Sequence, residues 1–248
     1  MRTIEWDHDK DCIKMIDQTL LPEAVEHIHV RTIDQLVEAI QSLRVRGAPA
    51  LGAAGAYGVA LSARAHEANG AEGLLKKMEG DAKRIATARP TAVNLSREVE
   101  RTMKEARSAD DVDEIRRVTL EQAEECARHD IETNKKIGEH GASLLEAGQT
   151  VMTHCNAGSL ATVEWGTALG VVYSASEQGK PVRVITNETR PLNQGSRITT
   201  VELLEHDIEA TLIPDNASGL CIQRGEVDAV IVGADRVVLD GGKQFGNQ

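Results

Sequence analysis

An α/β fold is predicted by a change of pattern near the middle of this 248-residue chain. Before Gly148, apolar residues recur at helical spacing. After it, short apolar runs at 150–153, 182–186, 210–213 and 229–232 alternate with helical stretches, which is the pattern of a parallel sheet. The expected architecture is a mostly helical N-terminal domain over residues 1–117, with small strands at its start. A Rossmann-like α/β domain over 118–248 follows.

The elements follow in order. Thr3-Ile4-Glu5-Trp6 and Cys12-Ile13-Lys14-Met15-Ile16 read as two small paired strands, and Leu21-Pro22 closes that unit. Thr32 with Gln35 forms the signature of a capping box, and Leu36, Ile40 and Leu43 lie along one face of the helix it opens. Residues 50–65 are small and helically spaced, with Pro49 suited to a first turn and glycines that admit a close neighbour. Further helices are expected at 73–88 and 95–107, then a solvated turn at 108–113 and a long helix at 113–147. A helix at 159–172 is expected to follow the 150–153 strand directly.

Composition limits what such a chain does. The formal net charge of -11 repels phosphate backbones and anionic membranes, and the 2% aromatic share leaves little with which to stack on bases. Nucleic-acid and membrane partners are therefore not expected. Cys12, Cys126, Cys155 and Cys221 are dispersed without paired spacing, and no N-terminal apolar segment resembles a signal peptide. A reducing cytoplasm is the expected compartment, with no metal site and no cofactor.

Thr153-His154-Cys155-Asn156-Ala157-Gly158-Ser159 places a thiol at the exit of a strand, before a turn able to present main-chain amides. A buried, inert cysteine is the plainer reading. The other three runs end in comparable polar clusters: Asn187-Glu188-Thr189-Arg190, Pro214-Asp215-Asn216 and Gly233-Ala234-Asp235-Arg236. In a parallel sheet all four gather along the edge where ligands bind, which favours a functional Cys155.

Four segments, Arg46-Gly47-Ala48-Pro49-Ala50, THCNAGSLAT at 153–162, NETRPLNQGSR at 187–197 and Gly233-Ala234-Asp235-Arg236, resemble the methylthioribose-1-phosphate isomerase family. Asp17 to Pro22 and Arg89 to Asn94 extend the resemblance over nearly the whole chain. The fold is shared with ribose-1,5-bisphosphate isomerases, with 5-deoxyribose-1-phosphate isomerases and with non-catalytic regulatory subunits of the initiation-factor-two exchange factor, so fold alone does not choose among them. The Arg-Gly-Ala-Pro-Ala form, together with Cys155 and Asp235, is closest to the methylthioribose enzyme.

The resemblance implies an aldose-to-ketose isomerisation of a 1-phosphorylated, 5-substituted ribose in methionine salvage. Phosphate on the anomeric oxygen blocks a free aldehyde, so the ring opens with that phosphate attached. An acid must serve the ring oxygen, and either a base takes the C2 proton or the site permits a hydride shift. By resemblance Cys155 and Asp235 are that catalytic pair. Ordinary values near ~8.5 and ~3.9 mean that both need tuning to share protons at neutral pH. Substrate binding falls by resemblance to Arg46, Gly47, Ala48, Arg89 and Gln194, and a homodimer is expected of a complete chain.

Structural alternatives accompany each residue. Asp235 could cap a helix, Arg46 could pair with an acidic neighbour, Gly47 could only turn the chain, and Gln194 could be a surface amide. Arg190, Arg197 and Arg236 read as structural ion-pair partners. Asn156 and Gly158 either orient Cys155 or only shape its loop. The family's Asn-Lys pair beyond Gly233–Arg236 has no counterpart in the tail, where Lys243 and Asn247 have the wrong order and spacing. The resemblance implies further strands and helices where this chain stops, so the 118–248 catalytic domain is expected to be incomplete at its C-terminus, with apolar surface and a sheet edge uncovered near 229–232.

Overall fold

A computed structural model describes residues 1–234 and, as backbone, 236–237 and 243–244. The chain divides into two compact units, Arg2–Glu132 with Ala161–Val163, and Thr133–Leu160 with the residues from Glu164 onward.

The first unit opens on strands β1 (Ile4–Asp7) and β2 (Cys12–Ile16), which pair antiparallel with Ile4 opposite Met15. A third strand, β3 (His27–Val30), pairs antiparallel with β2. The small sheet thus continues past Leu21-Pro22, where the sequence suggested closure. Its HIHV strand alternates polar and apolar residues over only four positions, and Val30 is buried opposite Ile13 of β2.

Helix α1 (Ile33–Gln41) starts at the expected capping box. Thr32 Oγ1 accepts from the Gln35 N–H at 3.2 Å, and Gln35 Oε1 accepts from the Thr32 N–H at 3.2 Å. Leu36 and Ile40 are buried on its inner face. Leu43 is not on that face: the helix has ended, and Leu43 sits in a left-handed conformation at φ 66°.

Helices α2 (Ala48–Ala65), α3 (Ala71–Thr87), α4 (Val93–Arg107) and α5 (Val112–Ala142) complete the main run. The C-terminal end of α5 is at 142 rather than 147. Every residue of α2 from Ala50 to Ala63 is buried. Its small residues explain how: a methyl on Gly58 would lie 2.5 Å from Leu36 Cδ2, and one on Gly55 would lie 2.8 Å from the Leu95 carbonyl oxygen. Aliphatic side chains such as Leu74, Met78, Ile85 and Val99 fill the rest of this core.

The second unit is the expected parallel sheet. Strands β4 (Thr150–Thr153), β5 (Arg183–Asn187), β6 (Ala210–Ile213) and β7 (Ala229–Val230) lie in the order β6-β5-β4-β7, all parallel, with Val151 opposite both Val184 and Ala229. Helices α6 (Ala168–Glu177), α7 (Thr200–Glu205) and α8 (Ser218–Gln223) provide the connections. β4 is buried throughout, while Leu212 on β6 and Val230 and Val232 around β7 stand exposed. Two further strands, β8 (Arg236–Val237) and β9 (Lys243–Gln244), pair antiparallel.

The helix expected at 159–172 is interrupted. Residues Ser159–Ala161 form a single 3-10 turn, and α6 begins only at Ala168. Gly166, at φ 88°, bridges back to Gly158 instead of continuing a helix.

Candidate active site

The four strand-end clusters meet as far as they are described. At the end of β4 the Cys155 N–H donates to Thr189 Oγ1 at 2.8 Å, and the Cys155 carbonyl accepts from Thr199 Oγ1 at 2.6 Å. Thr189 follows β5, and its N–H donates to Asp215 Oδ1 at 2.8 Å. The Arg190 N–H donates to Asp215 Oδ2 at the same distance. Asp215 follows β6. After β7, a methyl on Gly233 would lie 2.9 Å from Ala157 Cβ. Partial burial pushes the Asp215 carboxyl up, but the two main-chain donors outweigh it and hold it below the usual carboxylate range.

Cys155 itself is half-buried. It adopts φ 63°, Thr189 φ 63° and Asn193 φ 56°. Left-handed backbone is uncommon for residues with side chains and a genuine outlier for a β-branched one, at about 1–3 kcal/mol each. Three such residues lie in the loops after two neighbouring strands, while Asp11, Leu43, Trp165 and Asp207 are left-handed elsewhere.

A buried carboxylate organises this turn. Glu202 on α7 is fully buried, and Oε2 accepts from the Ser159 N–H and Ser159 Oγ, both at 2.6 Å, and from the Tyr173 hydroxyl at 3.2 Å. Oε1 accepts from Asn156 Nδ2 at 2.7 Å and the Leu160 N–H at 3.3 Å. Two main-chain amides of the turn after Cys155, those of Ser159 and Leu160, are therefore occupied by Glu202. Burial, then the Glu202 charge, raises the Tyr173 hydroxyl well above its ordinary pKa, which keeps it a donor.

Sequence reasoning missed Glu202. A lone glutamate between Ile198 and Leu203, on a turn that otherwise buries apolar side chains, was the available signal. The π-helix Gly195–Thr199 was also not foreseen. It follows Gln194 and carries Thr199 to the Cys155 carbonyl.

Among the sequence-predicted residues, Gln194 is buried in the same unit as Cys155. Asp235 lies outside the described residues. Arg46, Gly47, Ala48 and Arg89 belong to the other unit. There Gly47 precedes the first turn of α2 at φ 90°, with no side chain capping the helix, and Arg46 is buried beside it. A methyl on Gly47 would lie 2.1 Å from the Ala161 carbonyl oxygen, so only glycine fits.

Arg89 is half-buried and has no ion-pair partner among the described residues. Burial alone draws its pKa below the ordinary value, the condition of a cation with no anion beside it. Arg190 instead pairs with Glu188 at 2.9 Å, as the structural reading expected. No group of three or more His, Cys, Asp or Glu side chains among the described residues could hold a metal ion. No described helix is long and apolar enough to cross a membrane.

Residues 44–244 match the Initiation factor 2 subunit family. The methylthioribose-1-phosphate isomerase of Desulfitobacterium hafniense strain Y51 is 45% identical over 244 residues, 97% of this chain and 70% of that protein. The crystal structure of 5-methylthioribose 1-phosphate isomerase from Pyrococcus horikoshii superposes with a TM-score of 0.89 at 39% identity, covering 98% of this chain and 68% of that one. The crystal structure of translation initiation factor eIF-2B subunit delta from Archaeoglobus fulgidus also gives 0.89, at 54% identity, covering 96% of this chain and 69% of that one.

Proposed function

This chain belongs to the Initiation factor 2 subunit family, and on that footing we propose that it is an aldose-ketose isomerase converting 5-methylthioribose 1-phosphate to 5-methylthioribulose 1-phosphate in methionine salvage. The observation that carries the reading is Cys155, held in a left-handed conformation at the C-terminal end of the central parallel strand by hydrogen bonds to both sides of its peptide backbone. A merely structural cysteine needs neither the strained backbone nor the clamp. The name of the Desulfitobacterium protein supplies the substrate.

In this reading Cys155 and Asp235 are the acid-base pair: one protonates the ring oxygen as the ring C1–O bond breaks, and hydrogen passes from C2 to C1, either as a proton carried by the other residue or as a hydride. Phosphate is taken by the uncapped first turn of α2 after Gly47, where Ala48 begins the helix, with Arg46 and Arg89 supplying charge and Gln194 a further polar contact. The half-buried guanidinium of Arg89, with no ion-pair partner among the described residues, supports this share of the work. The active form is a cytoplasmic homodimer that needs no cofactor.

The test is turnover of methylthioribose 1-phosphate against ribose 1,5-bisphosphate and 5-deoxyribose 1-phosphate. Conversion of the first, abolished in Cys155→Ala, supports the reading, while preference for either of the others reassigns the substrate. The Archaeoglobus structure's name favours a second reading, a non-catalytic regulatory subunit. Failure to turn over any of the three sugars would favour it.

A further inference from the structure

We infer that Glu202 is a positioning residue for Cys155, and this rests on the proposed catalytic role of that thiol. Glu202 is fully buried yet accepts five hydrogen bonds, four of them from Asn156, Ser159 and Leu160, the residues that follow Cys155. A carboxylate is not removed from water cheaply, and only a full set of donors makes it tolerable. Here nearly all of those donors belong to one turn.

The turn is also held at the Ala157 carbonyl, which accepts from the Leu169 N–H at 3.2 Å and from Thr167 Oγ1 at 3.4 Å. Ser159–Ala161 is a single 3-10 turn, too short to stand by itself, and Gly158 bridges to Gly166. Glu202 reaches it from α7, the helix that directly continues the π-helix bearing Thr199. Thr199 Oγ1 donates to the Cys155 carbonyl and also lies 3.3 Å from Asn156 Nδ2. The same rigid segment therefore grips the peptide of Cys155 with one side chain and the residues after it with another. Gly158 is part of the fit, since a methyl there would lie 2.3 Å from Glu202 Oε2.

Two variants disturb this contact from opposite sides. Glu202→Gln keeps size but not charge. Whichever oxygen becomes NH2, a main-chain N–H of the turn loses its acceptor, Ser159 at Oε2 or Leu160 at Oε1. Gly158→Ala keeps the carboxylate and displaces it. Acting through one contact, the two effects should not add in the double variant.

The first readout needs no substrate. Alkylation of the full chain by iodoacetamide is followed from pH 6 to 10 and resolved by mass spectrometry at Cys155 and, as internal reference, at Cys221. The expected result in both single variants is a shift of the Cys155 midpoint by about 0.5 unit or more, roughly a threefold change in rate at neutral pH, with the Cys221 profile superimposed on the parent. A Cys155 profile that stays on the parent in a folded variant overturns the inference. So does a change at Cys155 and Cys221 together, which reports general loosening.

The second readout is kinetic. With methylthioribose 1-phosphate, kcat should fall by about tenfold or more while KM stays within about twofold, the signature of a misplaced reacting group. A parent chain that turns over the sugar and a variant that retains its kcat would sink the positioning role and leave the isomerase reading intact. A parent without turnover would remove the isomerase reading, and the alkylation profiles would then decide the role of Glu202 alone.

Discussion

Replacing Gly47 by alanine tests the close packing at the proposed phosphate site without touching a charge. Gly47 has φ 90° and ψ 136°, a conformation close to glycine-only, so a side chain there costs about 1–3 kcal/mol in backbone strain. The added methyl meets Ala161 at 2.1 Å from its carbonyl oxygen, 2.5 Å from Cα and 2.6 Å from the carbonyl carbon, all main-chain atoms that cannot rotate aside. Forced displacement of that kind costs about a further 1–3 kcal/mol. The sum is about 2–6 kcal/mol, which for a chain of this length lowers Tm by roughly 4–24 °C. Thermal unfolding followed by circular dichroism measures it. Gly80→Ala is the control of opposite sign: it lies exposed within α3 with nothing within 4 Å of the new methyl, so it should stabilise by about 0.5–1 kcal/mol. A Gly47→Ala melt within 1 °C or so of the parent would refute the steric reasoning.

Other consequences are as direct. Arg89→Ala should raise KM for the sugar phosphate strongly with a smaller change in kcat, and an unchanged KM removes Arg89 from the phosphate site. The Asp17 carboxyl is pushed up by burial, but the Thr19 hydroxyl and N–H and the Arg44 guanidinium outweigh that and lower it overall. A depressed folded-state value stabilises fully above about pH 4 and the gain is lost as pH falls through the folded value. Asp17→Asn should therefore cost about 1–3 kcal/mol at pH 7 and flatten the acid limb of the stability curve, read from urea midpoints against pH. The Cys126 thiol, pushed up to about 12 by burial and then by the Glu98 charge, works at the other end: its contribution is present below pH ~8.5 and is lost as pH rises toward the folded value, so Cys126→Ala should flatten the alkaline limb. Leu36→Ala, which empties a fully buried site against Gly58, should cost about 2–5 kcal/mol by the same urea assay.

The sequence made legible those features that repeat. Strand runs of period two or continuous apolarity, the Thr32–Gln35 box and the small-residue helix all appear where periodicity placed them. The convergence of strand-end clusters was readable because parallel strands oblige it, and the Cys155–Thr189–Asp215 chain of hydrogen bonds realises it. What sequence could not show is which partner satisfies a given donor. The amides after Cys155 looked open to a ligand because nothing local fills them, and the group that does is 43 residues away from Ser159 on another helix. The helix expected at 159–172 failed for a related reason: local composition favoured it, but the long-range carboxylate and the Gly158–Gly166 bridge fix a different path.

Helix α2 has almost no solvent-facing stripe, and this bears on how its unit comes apart. An amphipathic surface helix can fray and rejoin while its neighbours stay in place. A helix buried from Ala50 to Ala63, with Leu36 pressed onto Gly58 and Leu95 onto Gly55, has no such local exit. Its amides become open to solvent deuterium only when α1 and α4 leave with it, so the slowest-exchanging protons of that unit should lie in the segment with its smallest side chains.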